Sequence, residues 1–308
     1  MRVVFMGTPA FAVPSLERLI ADGHLVCGVF TQPDKPKNRG MKLTASPVKE
    51  CALAHGIPVY QPVTLKDGQA LENLRALAPE LVVVAAYGKI LPAALLDLPS
   101  LGCINVHSSL LPKYRGAAPI NWAVINGEAE TGVTIMHMAP ALDAGDIILA
   151  RSTPIDPNET VERLHDRLAE LGADLLSQAV DALARGTAPR IPQDDSRATY
   201  APMLSRDLSP IDWTRPARDI HNQVRGLIPW PATTTRLPNG AEVKVFAVEE
   251  TGEGTHAAPG SLVRAGKEGI DLACGDGRVL RITELQAQGK RRMSAADYLR
   301  GNPLGPEG

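Results

Sequence analysis

Aromatic side chains are scarce in this sequence of 308 residues: Phe, Trp and Tyr together make up 4%. So few rings exclude an aromatic stacking platform of the kind that holds single-stranded nucleic acid. Cysteine is scarce too. The four present (Cys27, Cys51, Cys103, Cys274) lie far apart with no C-x-x-C pair, which leaves neither a zinc ribbon nor a disulfide framework. The seven histidines contain no H-x-x-x-H or H-E-x-x-H spacing, so no metal is expected. Charge of one sign is not in excess: 32 basic against 34 acidic side chains give a formal net charge of −2, which excludes a broadly basic nucleic-acid binder. No apolar run approaches the roughly 18 residues of a membrane span. The opening Met1-Arg2-Val3-Val4-Phe5-Met6-Gly7 is broken too soon for a signal peptide, so a soluble cytoplasmic protein is expected. Nucleotide signatures are missing as well. The frame at Gly7 keeps only the first glycine of G-x-G-x-x-G, and neither a P-loop nor a G-x-S-x-G elbow occurs. What remains is an ordinary globular composition, 44% hydrophobic and 21% charged, in a chain long enough for two domains.

Along its length, the first half alternates strands and helices. Residues 2–6 form a short β-branched run ending at Gly7, and 14–21 read as an amphipathic helix with Leu16, Leu19 and Ile20 on one face. Residues 25–31 read as the next strand. The unbroken apolar run 81–86 fits a strand buried on both faces of a parallel sheet, and 103–106 fits another. Strands separated by helices predict right-handed βαβ units in a doubly wound, Rossmann-like, mostly parallel α/β sheet. Residues 132–138 and 146–152 read as further strands. A long helix then opens at the cap Thr160, carries Val161, Leu164, Leu168, Leu171 and Leu175 at helical spacing, and ends at Gly186. Pro189, Pro192, Asp194, Asp195 and Ser196 break any period, so a linker is expected at 190–206, between a first domain, 1–189, and a second, 207–308. The second reads as one helix, 217–227, followed by short strands. Asn239-Gly240 and Asp276-Gly277 sit between strand runs as type I′ hairpin signals. About five strands in roughly 80 residues predict a small OB-like β-barrel.

The informative stretch is Asn105-Val106-His107. Alternate residues of a strand share a face, so Asn105 and His107 point one way while Ile104 and Val106 point into the core. Ligands of open α/β sheets sit beyond the carboxyl ends of the strands. There an amide supplies N–H donors to a developing oxyanion, and an imidazole exchanges protons near neutral pH. A carboxylate that orients the imidazole is the natural third member. Asp143 and Asp146, in Leu142-Asp143-Ala144-Gly145-Asp146, both qualify, although an ordinary turn favours Asp and Gly as well. On spacing alone, Asn105 and His107 also read as a strand cap and a hydrogen-bonded histidine with no chemical role.

The residues around the pair extend the pattern. The stretch Asn105-Val106-His107-Ser108-Ser109-Leu110-Leu111-Pro112-Lys113-Tyr114-Arg115-Gly116-Ala117-Ala118-Pro119-Ile120, with Gly132-Val133-Thr134 and Leu142-Asp143-Ala144-Gly145-Asp146-Ile147, resembles the folate-dependent formyltransferases. Further segments are similar to the tRNA-acting branch of that family: Gly7-Thr8-Pro9-Ala10-Phe11-Ala12-Val13-Pro14, Thr31-Gln32-Pro33-Asp34, Ala198-Thr199-Tyr200-Ala201-Pro202, Ile211-Asp212-Trp213, Ile220-His221-Asn222-Gln223, Pro229-Trp230-Pro231 and Gly289-Lys290-Arg291-Arg292-Met293-Ser294. The resemblance implies Asn105, His107 and Asp143 as the catalytic set. It implies Ser109, Leu110, Leu111 and Pro112 as a tetrahydrofolate-binding loop, with Ile90 and Leu91 flanking the pterin pocket. The implied co-substrate is 10-formyltetrahydrofolate, without a metal, and the implied acceptor is the α-amino group of initiator methionyl-tRNA. Asn38 and Met203 stand where the family has glycine and lysine.

A tRNA partner needs positive charge, and the sequence holds it locally. Residues 34–50 carry Lys35, Lys37, Arg39, Lys42 and Lys49 against Asp34 and Glu50, a net of +3. On the expected barrel Arg278, Arg281, Lys290, Arg291, Arg292 and Arg300 stand against Glu284 and Asp297, a net of +4. Under the resemblance Lys35, Lys37, Arg39 and Lys42 contact the acceptor stem, and Lys290, Arg291 and Arg292 contact tRNA from the barrel. The chain is expected to act as a monomer. The same catalytic set also fits formyl transfer to another amine, such as a nucleotide amino sugar or glycinamide ribonucleotide, or a folate- or tRNA-binding module without activity. The basic loop and the second domain favour the tRNA acceptor.

Overall fold

The computed structural model describes residues 1–37 and 42–304. It divides into two compact units: Met1–Pro119, Glu130–Thr153 and His165–Ala201 form the first, and Ile120–Ala129, Pro154–Leu164 and Pro202–Gly308 the second.

A seven-stranded sheet organises the first unit, in the order Ile147–Pro154, Glu130–His137, Cys103–His107, Leu81–Ala85, Arg2–Gly7, Leu25–Phe30, Val59–Tyr60. The five strands from Cys103–His107 to Val59–Tyr60 run parallel, and Glu130–His137 is antiparallel to its neighbour. This is the Rossmann-like sheet the alternating pattern predicts. Every residue of Leu81–Ala85 is buried, as a run without polar positions requires of a central strand. From Arg2–Gly7 the chain builds outward to one side and then crosses to Leu81–Ala85 on the other. The carboxyl ends of these two strands therefore flank the switch point where ligands of such sheets bind. Thr8 Oγ1 donates to the Tyr87 carbonyl at 3.2 Å across that point.

The helix Val13–Ala21 opens with Pro14 in its first turn and fully buries Leu16 and Leu19. The helix Val161–Ala184 buries Val161, Leu164, Leu168 and Leu175, while Leu171 is half-buried. Its glycine matters for packing: a Cβ on Gly172 would lie 2.9 Å from Val106 Cγ1, so only glycine lets the helix approach the strand that carries His107 this closely.

The second unit holds the helix Ala217–Gly226 and a six-stranded antiparallel sheet in the order Thr233–Arg236, Glu242–Gly254, Arg278–Ala287, Gly269–Ala273, Leu262–Gly266, with Met293–Ser294 added to Arg278–Ala287. The helix packs Ala217, Ile220 and Val224 on Val243, Val245, Ile270, Leu280 and Ile282 of the sheet. Among the described residues the sheet is an open path and does not close into the expected barrel. Its outer strands Thr233–Arg236 and Leu262–Gly266 each pair with one strand of the sheet, and the outer edge of Thr233–Arg236 is met only by a short bridge from Pro210 to Thr234. Three register shifts between Glu242–Gly254 and Arg278–Ala287 bend it without joining its edges.

Both hairpins form where Asn239-Gly240 and Asp276-Gly277 predict them, but not with type I′ turns. Only the glycines take positive φ (Gly240 +82°, Gly277 +72°), whereas type I′ needs it at two successive residues. The side chains of Asn239 and Asp276 instead accept from the backbone N–H two residues on, Ala241 at 3.1 Å and Arg278 at 3.2 Å. That bond holds the first residue in its ordinary conformation and leaves the left-handed one to glycine.

Candidate active site

Cys103–His107 ends at the carboxyl edge of the sheet, paired to Leu81–Ala85 on one side and Glu130–His137 on the other. Ile104 and Val106 are buried in the core, and the opposite face presents Asn105 and His107. The Asn105 side-chain amide is half-buried and has no hydrogen-bond partner among the described residues, so its N–H groups stay available. His107, 6% exposed, sets its Nε2 3.0 Å from the Tyr114 carbonyl. A carbonyl only accepts, so Nε2 carries a proton and Nδ1 is the edge turned to the site. That edge lies 3.8 Å from Asp143 Oδ2, beyond hydrogen-bond reach but within ion-pair range.

The structure thereby separates the two candidate carboxylates. Asp143 faces His107. Asp146 turns to Arg190 at 3.5 Å, while its carbonyl accepts from His137 N at 2.9 Å. Asp143 holds φ at +49°, a left-handed conformation that costs an ordinary residue roughly 1–2 kcal/mol. Its Oδ2 accepts from the Gly116 amide at 2.8 Å. Tyr114, at φ +61°, takes the same unusual conformation where its carbonyl meets His107. Non-glycine residues strained in this way cluster at functional sites.

The loop after the strand is held from inside. Ser109 is fully buried and gives its hydroxyl to the Lys113 carbonyl at 2.6 Å, so that hydroxyl is spent within the fold. Thr134 Oγ1 donates to Ser109 O at 2.7 Å and accepts from Leu111 N at 3.2 Å. Leu111 is 7% exposed, leaving Leu110 and Pro112 as the half-exposed side chains of the loop. The pair Ile90 and Leu91 is split: Leu91 is buried in the core beside Leu95 and Tyr87, whereas Ile90 is 83% exposed. Lys89 bridges two carbonyls, Pro62 O and Val63 O, at 2.5 Å each, and burial lowers its pKa.

Of the basic residues in the first unit, Lys35 is exposed at the start of the strand Lys35–Lys37, which pairs with Lys42–Thr44 so that Lys37 stands opposite Lys42. Arg39 lies outside the described residues. Lys49 is committed at the base of this hairpin, bonded to Asp34 Oδ2 at 2.7 Å and Gln61 Oε1 at 2.8 Å, and these partners hold the Asp34 carboxyl below its usual range. In the second unit Lys290 and Arg291 are exposed. Arg292 is engaged by both oxygens of Glu284 at 2.6 Å and lies 4.6 Å over the Phe246 ring. Arg281 is taken up by Asp271 and Glu268, and Arg300 by Asp297, so part of the basic count is neutralised on the spot.

Residues 1–180 match the family described as formyl transferase, and residues 203–303 match its carboxyl-terminal domain. The chain belongs to the formyl transferase family. Among its relatives, the methionyl-tRNA formyltransferase of Moorella thermoacetica is 53% identical over 306 residues, covering 99% of this chain and 98% of that protein. The methionyl-tRNA formyltransferase of Trichlorobacter lovleyi is 51% identical over 303 residues, 98% of this chain and 95% of that protein. Among solved structures, WlaRD, a sugar 3N-formyl transferase in the presence of dTDP and 5-N-formyl-THF, superposes with a TM-score of 0.70 over 94% of this chain and 99% of that one. At 18% identity that likeness is one of fold.

Several residues that shape the site of this formyl transferase family member carry no local signal of their own. Tyr114 contributes only its carbonyl, Gly116 only its amide, and Gln193 reaches the Asp143 loop from about fifty positions away. Among the described residues no three His, Cys, Asp or Glu side chains gather as a metal site, and no helix is long and apolar enough to cross a membrane.

Proposed function

We propose that this chain transfers the formyl group of 10-formyltetrahydrofolate to the α-amino group of methionine on initiator tRNA. The observation that carries the reading is identity of 51–53% with methionyl-tRNA formyltransferases over nearly the full length of both chains, second unit included.

The amine nitrogen attacks the formyl carbon, and the carbonyl oxygen becomes an oxyanion. Asn105 donates a side-chain N–H to that oxygen, a contribution left open because the amide has no partner among the described residues. With Nε2–H held by Tyr114 O, His107 acts through Nδ1. A proton taken up there lies between imidazole, oxyanion and Asp143. Asp143 stabilises the charged imidazole and passes the proton lost by the attacking amine, through water, to the departing folate nitrogen as the carbon–nitrogen bond breaks. Ile90 offers an apolar wall for the pterin, and the backbone of the 109–112 loop offers its polar contacts.

Residues 1–189 serve as the catalytic domain and 207–308 as the tRNA-binding domain, joined through 190–206. The open six-stranded sheet serves in the manner of an OB-like surface, with Lys290 and Arg291 toward tRNA and Lys35, Lys37, Arg39 and Lys42 toward the acceptor stem. The chain works as a monomer in the cytoplasm. Formylation of methionyl initiator tRNA in competition with glycinamide ribonucleotide and a nucleotide amino sugar tests this. The tRNA product should dominate, and preferential formylation of either small amine would overturn it.

A further inference from the structure

The geometry points to Gln193 as the residue that positions Asp143. This rests on the role given to Asp143 above. Asp143 needs support beyond its own side chain: its backbone is left-handed, and its carboxylate is held by one amide, Gly116 N at 2.8 Å. The main chain of its loop is secured by Gln193, whose Nε2 donates to Asp143 O and to Gly145 O, each at 2.8 Å. Both amide protons are thus used, one per carbonyl.

The orientation of that amide is fixed from the other end. Gln193 Oε1 accepts from Arg115 Nε at 3.2 Å and Nη2 at 2.8 Å. A guanidinium only donates, so the oxygen faces Arg115 and the NH2 group faces the loop carbonyls. Arg115 is 4% exposed, and its Nη2 also binds Asp195 Oδ1 at 2.7 Å. Arg115 is followed directly by Gly116, the residue that grips the Asp143 carboxylate. The result is a closed circuit: Asp143 carboxylate, Gly116 amide, Arg115 guanidinium, Gln193 amide, Asp143 carbonyl. One short segment therefore holds the side chain directly and the backbone through Gln193.

The stretch that carries Gln193 is itself laid against this loop. Ile191 and Ile147 exchange backbone hydrogen bonds of 2.8 and 3.0 Å. Tyr200–Ala201 pairs in parallel with Arg115–Gly116. At the far side of the loop, a Cβ on Gly145 would fall 1.8 Å from the His137 carbonyl, so the loop has no room to retreat in that direction. Loss of Gln193 frees the Asp143 carbonyl and opens the Nδ1–Oδ2 approach to His107. Gln193 touches no reacting atom in this scheme. It acts through Asp143.

Gln193→Ala and Gln193→Glu test the role. The glutamate keeps an oxygen for Arg115 but turns acceptors toward two carbonyls, so it stays anchored and pushes the loop away. Each variant is compared with the wild type in kcat, in KM for both substrates, and in the amide resonance of Gly116. Gln193→Ala should lower kcat about tenfold or more with both KM values changed less than about threefold, as expected when two hydrogen bonds that act on alignment are removed. Gln193→Glu should lose more. In both, the Gly116 resonance should shift as its bond to the carboxylate loosens. An unchanged kcat in folded Gln193→Ala overturns the inference, as does an unmoved Gly116 resonance. The resonance needs no substrate, so it reads Gln193 even where the proposed acceptor proves wrong.

Discussion

Asn105 and His107 differ in how much of their hydrogen-bonding capacity the fold uses, and that difference sets their chemistry. The imidazole is committed at Nε2 and open at Nδ1, while the carboxamide is open at its nitrogen. Asn105→Ala should therefore lower kcat by about 10²–10³-fold and leave equilibrium binding of the folate intact. A loss confined to folate affinity would assign Asn105 to binding instead. The split between Ile90 and Leu91 yields a second contrast. Leu91→Ala should cost about 2–5 kcal/mol in denaturant unfolding, because it empties a core position. Ile90→Ala should stay within about 0.5 kcal/mol and raise KM for the folate. Equal effects of the two on stability would contradict the placement. The pattern of alternate residues made Asn105 and His107 legible as a pair. It left Asp143 and Asp146 equivalent, because both sit in one turn and only the fold of that turn, with φ +49° at Asp143, directs one of them to the imidazole.

Elements fit one another through positions whose neighbours are remote in sequence. Gly172→Val would drive its Cβ into Val106 and push the Val161–Ala184 helix off the strand bearing His107. It should lose about 1–3 kcal/mol and activity together, whereas a substitution at exposed Asp174 on the same helix should disturb neither. On the helix Ala217–Gly226, His221 is buried, and burial, with Arg218 and Arg225 adding to it, lowers its pKa to about 4. The unfolded chain, with an ordinary value near 6.5, takes up the proton first. Stability is thus full above about pH 6.5 and falls as pH drops toward 4, by about 2 kcal/mol at pH 5. His221→Gln should flatten the decline of Tm between pH 7 and pH 5, and an unaltered slope would place the acid sensitivity elsewhere. The unbroken apolar run of Leu81–Ala85 and the helical spacing of Val161–Ala184 are readable from the sequence. The turn type is not, because Asn239 and Asp276 form side-chain bonds that compete with the type I′ geometry their dipeptides favour.

For the whole molecule, charge is distributed in short segments and partly cancelled by neighbours. A net of −2 says little when Lys290 and Arg291 are exposed while Arg292 and Arg281 are paired with acids. Replacing Lys290 and Arg291 together by alanine should lower the slope of tRNA affinity against salt by about 2, or about one for each phosphate no longer neutralised. Arg292→Ala alone should change it less, and a larger effect from Arg292 would argue that Glu284 releases it on binding. Closure of the second sheet was beyond the sequence, since strand number and hairpin order are the same for an open and a closed sheet. The segment 190–206 read as a linker from its prolines and acids. Within it Gln193 binds the Asp143 carbonyl and Asp195 binds Arg115, pairings that no local pattern encodes. The most direct test of the account is single-turnover formylation of methionyl initiator tRNA by the wild type and by Asp143→Asn, each saturated with 10-formyltetrahydrofolate. The wild type should formylate the tRNA rapidly and the variant at least about 10²-fold more slowly, in line with losing a general acid–base group. Near-equal rates, or a wild type that leaves the tRNA unformylated, would contradict it.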